Sequence, residues 1–209
     1  TTTSGPGLAL KGEALGLAVM TELPLVVIDV QRGGPSTGLP TKTEQADLMQ
    51  ALYGRNGESP VAIIAAKSPT DCFDTAFEAS KIALKYMVPV IMLTDGYIAN
   101  GAEPWLIPDV DKMPEIITKQ LKKATEGKDF LPYERDADNA RPWAIPGVEG
   151  LEHRIGGLEQ QQETGNVNYE PHNTEFMVRL RQQKVMGIHK DIAGTEFHGP
   201  KSGKIIRLR

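Results

Sequence analysis

Three apolar runs constrain this chain more than any other feature: PLVVIDV at residues 24–30, VAIIAA at 61–66 and VPVIMLTD at 88–95. Each is apolar at successive positions and too short for an ordinary helix, so each reads as a strand buried on both faces. The stretches between them carry helix signals. Residues 7–20 space Leu8, Leu15 and Met20 with the small Gly12, Gly16 and Ala18, which suits close packing. Residues 44–53 read as a helix ended by Gly54. SPTD at 68–71 reads as a helix start, with Ser68 as N-cap, Pro69 in the first turn and Asp71 behind it. That helix carries Phe73, Phe77, Ile82 and Leu84 towards Met87. The alternation predicts an α/β fold, a parallel sheet with helices on both faces and the carboxyl ends of its strands on one edge. Ligands of such sheets bind at that edge. Residues 3–7, 29–38 and 94–96 would meet there.

After residue 100 the pattern changes. Pro104, Pro108, Pro114, Pro132, Pro142, Pro146 and Pro171 punctuate an irregular stretch that is still rich in Trp, Leu and Ile. It divides the chain into an α/β unit at 1–100, a crossing segment at 101–172, and a final part at 173–209. A short helix is predicted at 113–124, with KQLKK (119–123) as its solvated face. A longer one is predicted at 173–192, with Met177, Leu180, Val185 and Ile188 on one side. The closing GPKSGKIIRLR reads as a turn and the first residues of a strand that begins a next domain. Trp105 and Trp143 are expected to pack the crossing segment onto the α/β unit or a partner.

Composition excludes several classes. The 209 residues are 40% hydrophobic and 24% charged, with a formal net charge of −4, which gives no basic field for nucleic acid. No apolar run approaches the roughly 20 residues of a membrane helix. Cys72 is the single cysteine, so there is no disulfide framework, which suits a reducing cytoplasm. One thiolate also cannot hold an iron–sulfur cluster, which takes about four. Cys72 itself reads as a small buried thiol. His153, His172, His189 and His198 are scattered without metal spacing, so no metal site is predicted. Asp29 and Asp95 stand at strand ends, where a carboxylate caps a turn more often than it acts as a base.

Two stretches carry chemistry. TTTSGPG (1–7) ends a strand in hydroxyls and turns through Gly5, Pro6 and Gly7 into a helix, which exposes backbone N–H groups. As a turn alone it is also an ordinary strand–helix connection. QRGGPSTG (31–38) follows a strand at its carboxyl end. There Arg32 offers a planar fork for a carboxylate and Thr37 a hydroxyl donor. The same arginine could instead brace the fold by pairing with Asp29 or a helix C-terminus.

TSGPG followed by a small-residue helix and ELPLVVIDVQ has the layout of the pyrimidine-binding domain of thiamine-diphosphate enzymes. With VVIDVQRGGPSTGLPTKTEQADL, LPYERDADNARPWAIPGVEGLEHRIGGLE and MVRLRQQKV, the chain resembles the α subunit of 2-oxoacid:ferredoxin oxidoreductases, most closely the 2-oxoglutarate type. The likeness covers nearly the whole chain and weakens only over IIRLR. It implies a thiamine-diphosphate-binding fold missing its first strands, a Tyr-Pro-Ile-Thr-Pro segment and the glutamate that touches the aminopyrimidine. No catalytic residue is then expected in this chain, which alone should be inert. Arg32 and Thr37 become the expected substrate contacts, with Ser4, Gly5 and Gly7 near thiamine. The implied reaction cleaves a 2-oxoacid to acyl-CoA and CO₂, with electrons passing to ferredoxin and the cofactor carrying the chemistry. Mg²⁺ and a [4Fe–4S] cluster are expected on a separate β subunit, and coenzyme A as co-substrate. Absent strands and an absent partner should leave apolar surface exposed. Two competing readings are an acetolactate-synthase-like thiamine decarboxylase, which shares TSGPG but lacks the QRGGPSTGLPTKTEQADL stretch, and a non-catalytic α/β domain used for subunit contact.

Overall fold

The computed structural model describes residues 1–194 together with Gly199 and Ser202; the strand expected within the last residues lies outside these. The three apolar runs form β2 (Leu25–Gln31), β3 (Ala62–Ala65) and β4 (Pro89–Asp95). With β1 (Thr2–Thr3) they make a four-stranded sheet in the order β1-β2-β4-β3. Every pairing is parallel, with Leu25 opposite Pro89 and Gln31 opposite Asp95.

Strand alternation sorts the side chains to two faces. Leu25, Val27, Val61, Ile63, Ile91 and Leu93 pack on Leu8, Leu15 and Ala51. Those three belong to α1 (Gly5–Leu10), α2 (Gly12–Thr21) and α3 (Leu48–Tyr53). Val26, Ala62, Ile64, Val88 and Val90 face the other way, onto Ala79, Ile82, Ala83 and Tyr86. That face is covered by α4 (Asp71–Tyr86). α6 (Pro171–Gly187) and a 3₁₀ turn (Ile188–Asp191) add Val185 and Ile188 to the same cluster. Helices therefore cover both faces, as the sequence pattern predicts.

Several boundaries differ from the expectation. The helix over 7–20 is broken at Lys11 (φ −111°, ψ 17°) into α1 and α2. α3 begins at Leu48, because residues 44–47 complete a loop rather than a helical turn. Ser68 is not the N-cap of α4: Thr70 is, and the Thr70 N–H donates to the Glu103 carboxylate at 2.6 Å. A residue thirty-three positions away thus supplies the acid at that helix start, and Ser68 donates to it as well, at 2.7 Å. The predicted helix at 113–124 is absent. A 3₁₀ turn at Val110–Lys112 precedes Pro114, and β5 (Gln120–Leu121) pairs in parallel with β6 (Trp143–Ala144). Lys119 bonds Asp136 instead of lying on a solvated helix face. Trp105 stacks on Phe73 of α4, with ring centroids 5.6 Å apart.

The crossing segment and α6 are tied to the sheet at its amino-terminal edge. Glu22 ends α2 in the left-handed region (φ 50°) just before β2. Met87 does the same for α4 just before β4 (φ 53°). Such a conformation costs a side-chain-bearing residue about 1–2 kcal/mol and persists where contacts over-determine it. Here Lys184 reaches both turns, donating to the Glu22 carboxylate and to the Met87 carbonyl at 3.5 Å. Arg135 takes the other Glu22 oxygen, and Arg141 Nε donates to the Glu22 carbonyl at 3.0 Å. Arg141 and Arg135 lie over the Tyr133 ring at 5.0 and 5.5 Å. Arg181 grips Glu159 with two bonds at 3.1 and 2.9 Å.

Burial works against the Glu22 charge, but Lys184 and Arg135 outweigh it and hold the carboxyl below its ordinary value of 4.5. Stability from this group is therefore present above that ordinary value and lost as pH falls through the depressed one. Glu22→Gln should leave two buried cations without a counter-charge and cost about 3–5 kcal/mol, read as a lowered urea midpoint. Glu175→Gln, in an exposed pair with Arg179, should barely move it.

Candidate functional site

The carboxyl edge of the sheet is assembled from three strand ends and one loop. Asp95, the last residue of β4, caps α5 (Gly96–Asn100) by accepting from the Tyr97 N–H at 2.6 Å and the Ile98 N–H at 3.1 Å. Gln45 donates to its other oxygen at 2.7 Å. Burial opposes the Asp95 charge, but these donors prevail and keep its pKa below the ordinary value. Asp95 is thus a capping residue. Gln31, at the end of β2, donates to the Thr94 carbonyl at 3.2 Å and accepts from the Asp47 N–H at 3.0 Å. One side chain so joins β2, β4 and the start of α3.

The loop from residue 32 to 47 folds back on itself. The Gly33 N–H donates to Lys42 O at 2.9 Å, Leu39 N–H to Gly33 O at 2.8 Å, and Gly34 N–H to the Glu44 carboxylate at 2.9 Å. Gly38 makes this closure possible: its φ is +53°, and a Cβ there would sit 2.0 Å from the Gly33 oxygen.

Between this loop and the TSGPG turn lies an open cavity of about 390 Å³, lined among others by Ser4, Gln31, Arg32, Thr41, Gly96 and Asn100. Arg32 lines it, and its buried Nε has no hydrogen-bond partner among the described residues. Its guanidinium makes no ion pair with Asp29 or any other carboxylate among the described residues. Thr37 stands exposed at the loop tip and does not line the cavity, whereas Thr41 does. Ser4 lines it, while Gly5 and Gly7 do not. These two glycines serve close approach inside the protein. A Cβ on Gly5 would lie 2.7 Å from the Asp47 carboxylate, and one on Gly7 would lie 1.8 Å from Thr3 Oγ1.

Asp29, two residues before Gln31 on the same face of β2, is fully buried under α1 and α3. Neither of its oxygens meets a donor, and Asp47 Oδ2 is also without one. Burial first, and then the neighbouring Asp47 carboxyl, push the Asp29 pKa up to about 7. Cys72 is half-buried, its Sγ 3.5 Å from the Ser68 carbonyl, and no metal-binding group of three His, Cys, Asp or Glu occurs among the described residues. Among the described residues no helix is long and apolar enough to cross a membrane.

A family model described as pyruvate flavodoxin/ferredoxin oxidoreductase, thiamine diphosphate-binding, matches residues 1–171. The chain belongs to this family. It is 66% identical over 190 residues to the 2-oxoglutarate oxidoreductase subunit KorA of Mycobacterium tuberculosis, covering 90% of this chain and 29% of that protein. It is 38% identical over 164 residues to the 2-oxoglutarate synthase subunit KorA of Methanothermobacter thermautotrophicus, covering 75% of this chain and 42% of that one. Among solved structures, the 2-oxoglutarate:ferredoxin oxidoreductase of Magnetococcus marinus with 2-oxoglutarate, coenzyme A and succinyl-CoA bound superposes with a TM-score of 0.87 at 40% identity. That match covers 96% of this chain and 34% of that one. The chain therefore spans about a third of the length of the relatives it matches.

Within this oxidoreductase family fold, the Asp29–Asp47 pair, the Gln31 bridge and Gln45 escaped the reading from sequence. Asp47 had one legible signal, an acid directly before the helical LMQALY. Gly38→Ala should open the loop: a strained φ together with a backbone clash costs more than about 1 kcal/mol. The expected result is a lowered melting point and faster proteolytic cleavage within 33–44. Gly187→Ala, at the end of α6 with nothing within 4 Å of the added Cβ, should leave both unchanged.

Proposed function

We propose that this chain is part of the α subunit of a thiamine-diphosphate-dependent 2-oxoacid:ferredoxin oxidoreductase that takes 2-oxoglutarate, with coenzyme A as acyl acceptor. The observation that carries the reading is the Arg32 guanidinium, whose buried Nε has no protein partner and opens into the cavity beside the TSGPG turn. The relatives named above supply the substrate class. A guanidinium held at a partly desolvated sheet edge meets a carboxylate with two parallel N–H···O bonds, which fixes the orientation of a planar acid as well as its charge.

The cavity fits the pyrimidine end of thiamine diphosphate. It has room for an aromatic ring, and Ser4 and Asn100 offer a hydroxyl and an amide for ring nitrogens. When bound, the cofactor supplies the carbanion stabilisation that decarboxylation of a 2-oxoacid needs. The role of this chain is to bind and orient: Ser4 would lie on the ring side of the cavity and Arg32 would hold a substrate carboxylate, while Thr37, on the exposed tip of the same loop and outside the cavity lining, would offer its hydroxyl only to a substrate that reaches the tip. Mg²⁺, the diphosphate and a [4Fe–4S] cluster belong in this reading to the β subunit, with ferredoxin as electron acceptor in the cytoplasm. Exposed Leu10, Tyr53, Leu106 and Ile107, the last two 91% and 78% accessible, support assembly with a partner subunit.

In the assembled complex Arg32→Lys should raise KM for the 2-oxoacid and lower kcat/KM by about one to two powers of ten, the worth of a charge-assisted hydrogen bond. Arg32→Ala should lose more. An unchanged KM with a lowered melting point on the same Arg32→Lys preparation would reject the substrate anchor.

A further inference from the structure

The Arg32 loop needs a fixed base if its guanidinium is to meet a carboxylate at a set angle. Its first limb leaves β2 rigidly, since Gln31 is bonded to Thr94. Its return limb ends at Asp47, and there three contacts converge. The Asp47 N–H is held by Gln31, its carboxylate lies against the bare Cα of Gly5, and Gln50 one turn later donates to the Gly5 carbonyl at 3.0 Å. On the same face of β2 as Gln31 sits Asp29, buried and without a donor on either oxygen among the described residues; the Asp47 carboxyl neighbours it, with its Oδ2 likewise buried and without a donor. Two carboxylates so placed repel. With one proton between them, a hydroxyl donates to the facing oxygen and the contact becomes attractive.

We propose that Asp29 and Asp47 form a proton-sharing clasp that positions the Arg32 loop on the sheet edge, and so sets the affinity for the 2-oxoacid. The inference rests on the function proposed above for Arg32. Asp47 is the titratable group that faces Asp29 from α3. α1 meets the pair with Gly5, β1 sets Thr3 in register with Asp29, and Asp95 at the end of β4 is occupied by its own three donors. No cation pairs with either acid among the described residues. The Asp29 pKa near 7 is consistent with a shared proton at neutral pH. Both acids act through the loop and are positioning residues.

When the proton leaves, the return limb keeps the Gln31 and Gln50 bonds but loses the attraction between the two carboxyls, so Lys42 and Glu44, which fasten Gly33 and Gly34, stand on a looser base. A site whose competent form is a fraction of the whole binds more weakly by that fraction. From one pH unit below the transition to one above it, that fraction falls about tenfold.

The test compares wild-type complex with the Asp29→Asn and Asp47→Asn complexes, at pH 6 and pH 8. Each amide replaces the shared proton with a donor that does not titrate in this range. In the wild type, KM for 2-oxoglutarate should rise about tenfold between the two pH values. Hydrogen exchange over residues 33–46 should accelerate by a similar factor beyond its intrinsic pH dependence. In either variant both quantities should be nearly flat, with kcat retained. A wild-type loop whose corrected exchange is unchanged from pH 6 to pH 8 would overturn the clasp. So would variants that keep the wild-type pH slope, and a fall in melting point with an unaltered slope would reduce the pair to a packing role. If one variant does not assemble, the other and the wild-type exchange profile still decide. A complex that oxidises no 2-oxoacid would refute the proposed function, while the exchange measurement would still judge the clasp.

Discussion

The docking of the crossing segment and α6 hangs on the charge of Glu22. It is a single buried carboxylate at the point where α2 turns into β2, and side chains from two distant parts of the chain converge on it: Arg135 from the crossing segment and Lys184 from α6. Lys184 also reaches the Met87 carbonyl, so one ammonium serves both left-handed turns at the amino-terminal edge. A buried ion pair is a weak source of net stability, because desolvation offsets much of its attraction. What it supplies here is location. Replacing one partner is costly, and few other arrangements satisfy both oxygens, so the crossing segment and α6 have one place to dock. The Tyr133 ring takes the faces of two guanidiniums that a single acid cannot satisfy.

That placement leaves the opposite edge free. The amino-terminal edge is crowded with paired charges, and Thr21, Met20 and Glu22 each offer a backbone carbonyl to the crossing segment. At the carboxyl edge the balance differs. Asp95 and Gln31 are satisfied and hold the framework, while Arg32 Nε and both oxygens of Asp29 are buried without partners. Such groups are expensive to keep, and buried donors without a partner occur at the other edge as well, at Arg135 Nε, Arg141 Nη2 and Arg181 Nε; what distinguishes the carboxyl edge is that Arg32 also lines an open cavity.

The legible part of this architecture is the part set by local chemistry. The strands were readable because an apolar run bounded by turn residues has few alternatives, and the covering of both faces followed from their burial. QRGGPSTG was readable because a strand end, glycines and an arginine lie together in sequence. The helix at 113–124 failed because periodicity says nothing about whether a face exists to pack against. Its residues instead found a two-residue ladder with Trp143 and an ion pair with Asp136. Ser68 failed as an N-cap because Glu103, far along the chain, carries the charge at that helix start. Glu22 and Lys184 are 162 residues apart, and each alone looks like an ordinary surface charge.

Of the two roles open to Arg32 in the sequence, the geometry bears directly on the brace. A brace would have to pair with Asp29, the nearest acid in sequence, yet alternation sends Asp29 under α1 and α3, where its neighbour is Asp47. An arginine anchored to Asp29 would neutralise that carboxylate and depress its pKa, whereas the pKa is raised towards neutrality. A helix C-terminus is no better a partner, because the helices that begin at this edge present their N-terminal ends to it. What is left at the end of β2 is a guanidinium that lines the cavity and pairs with no carboxylate among the described residues, which is the arrangement the proposed substrate anchor requires.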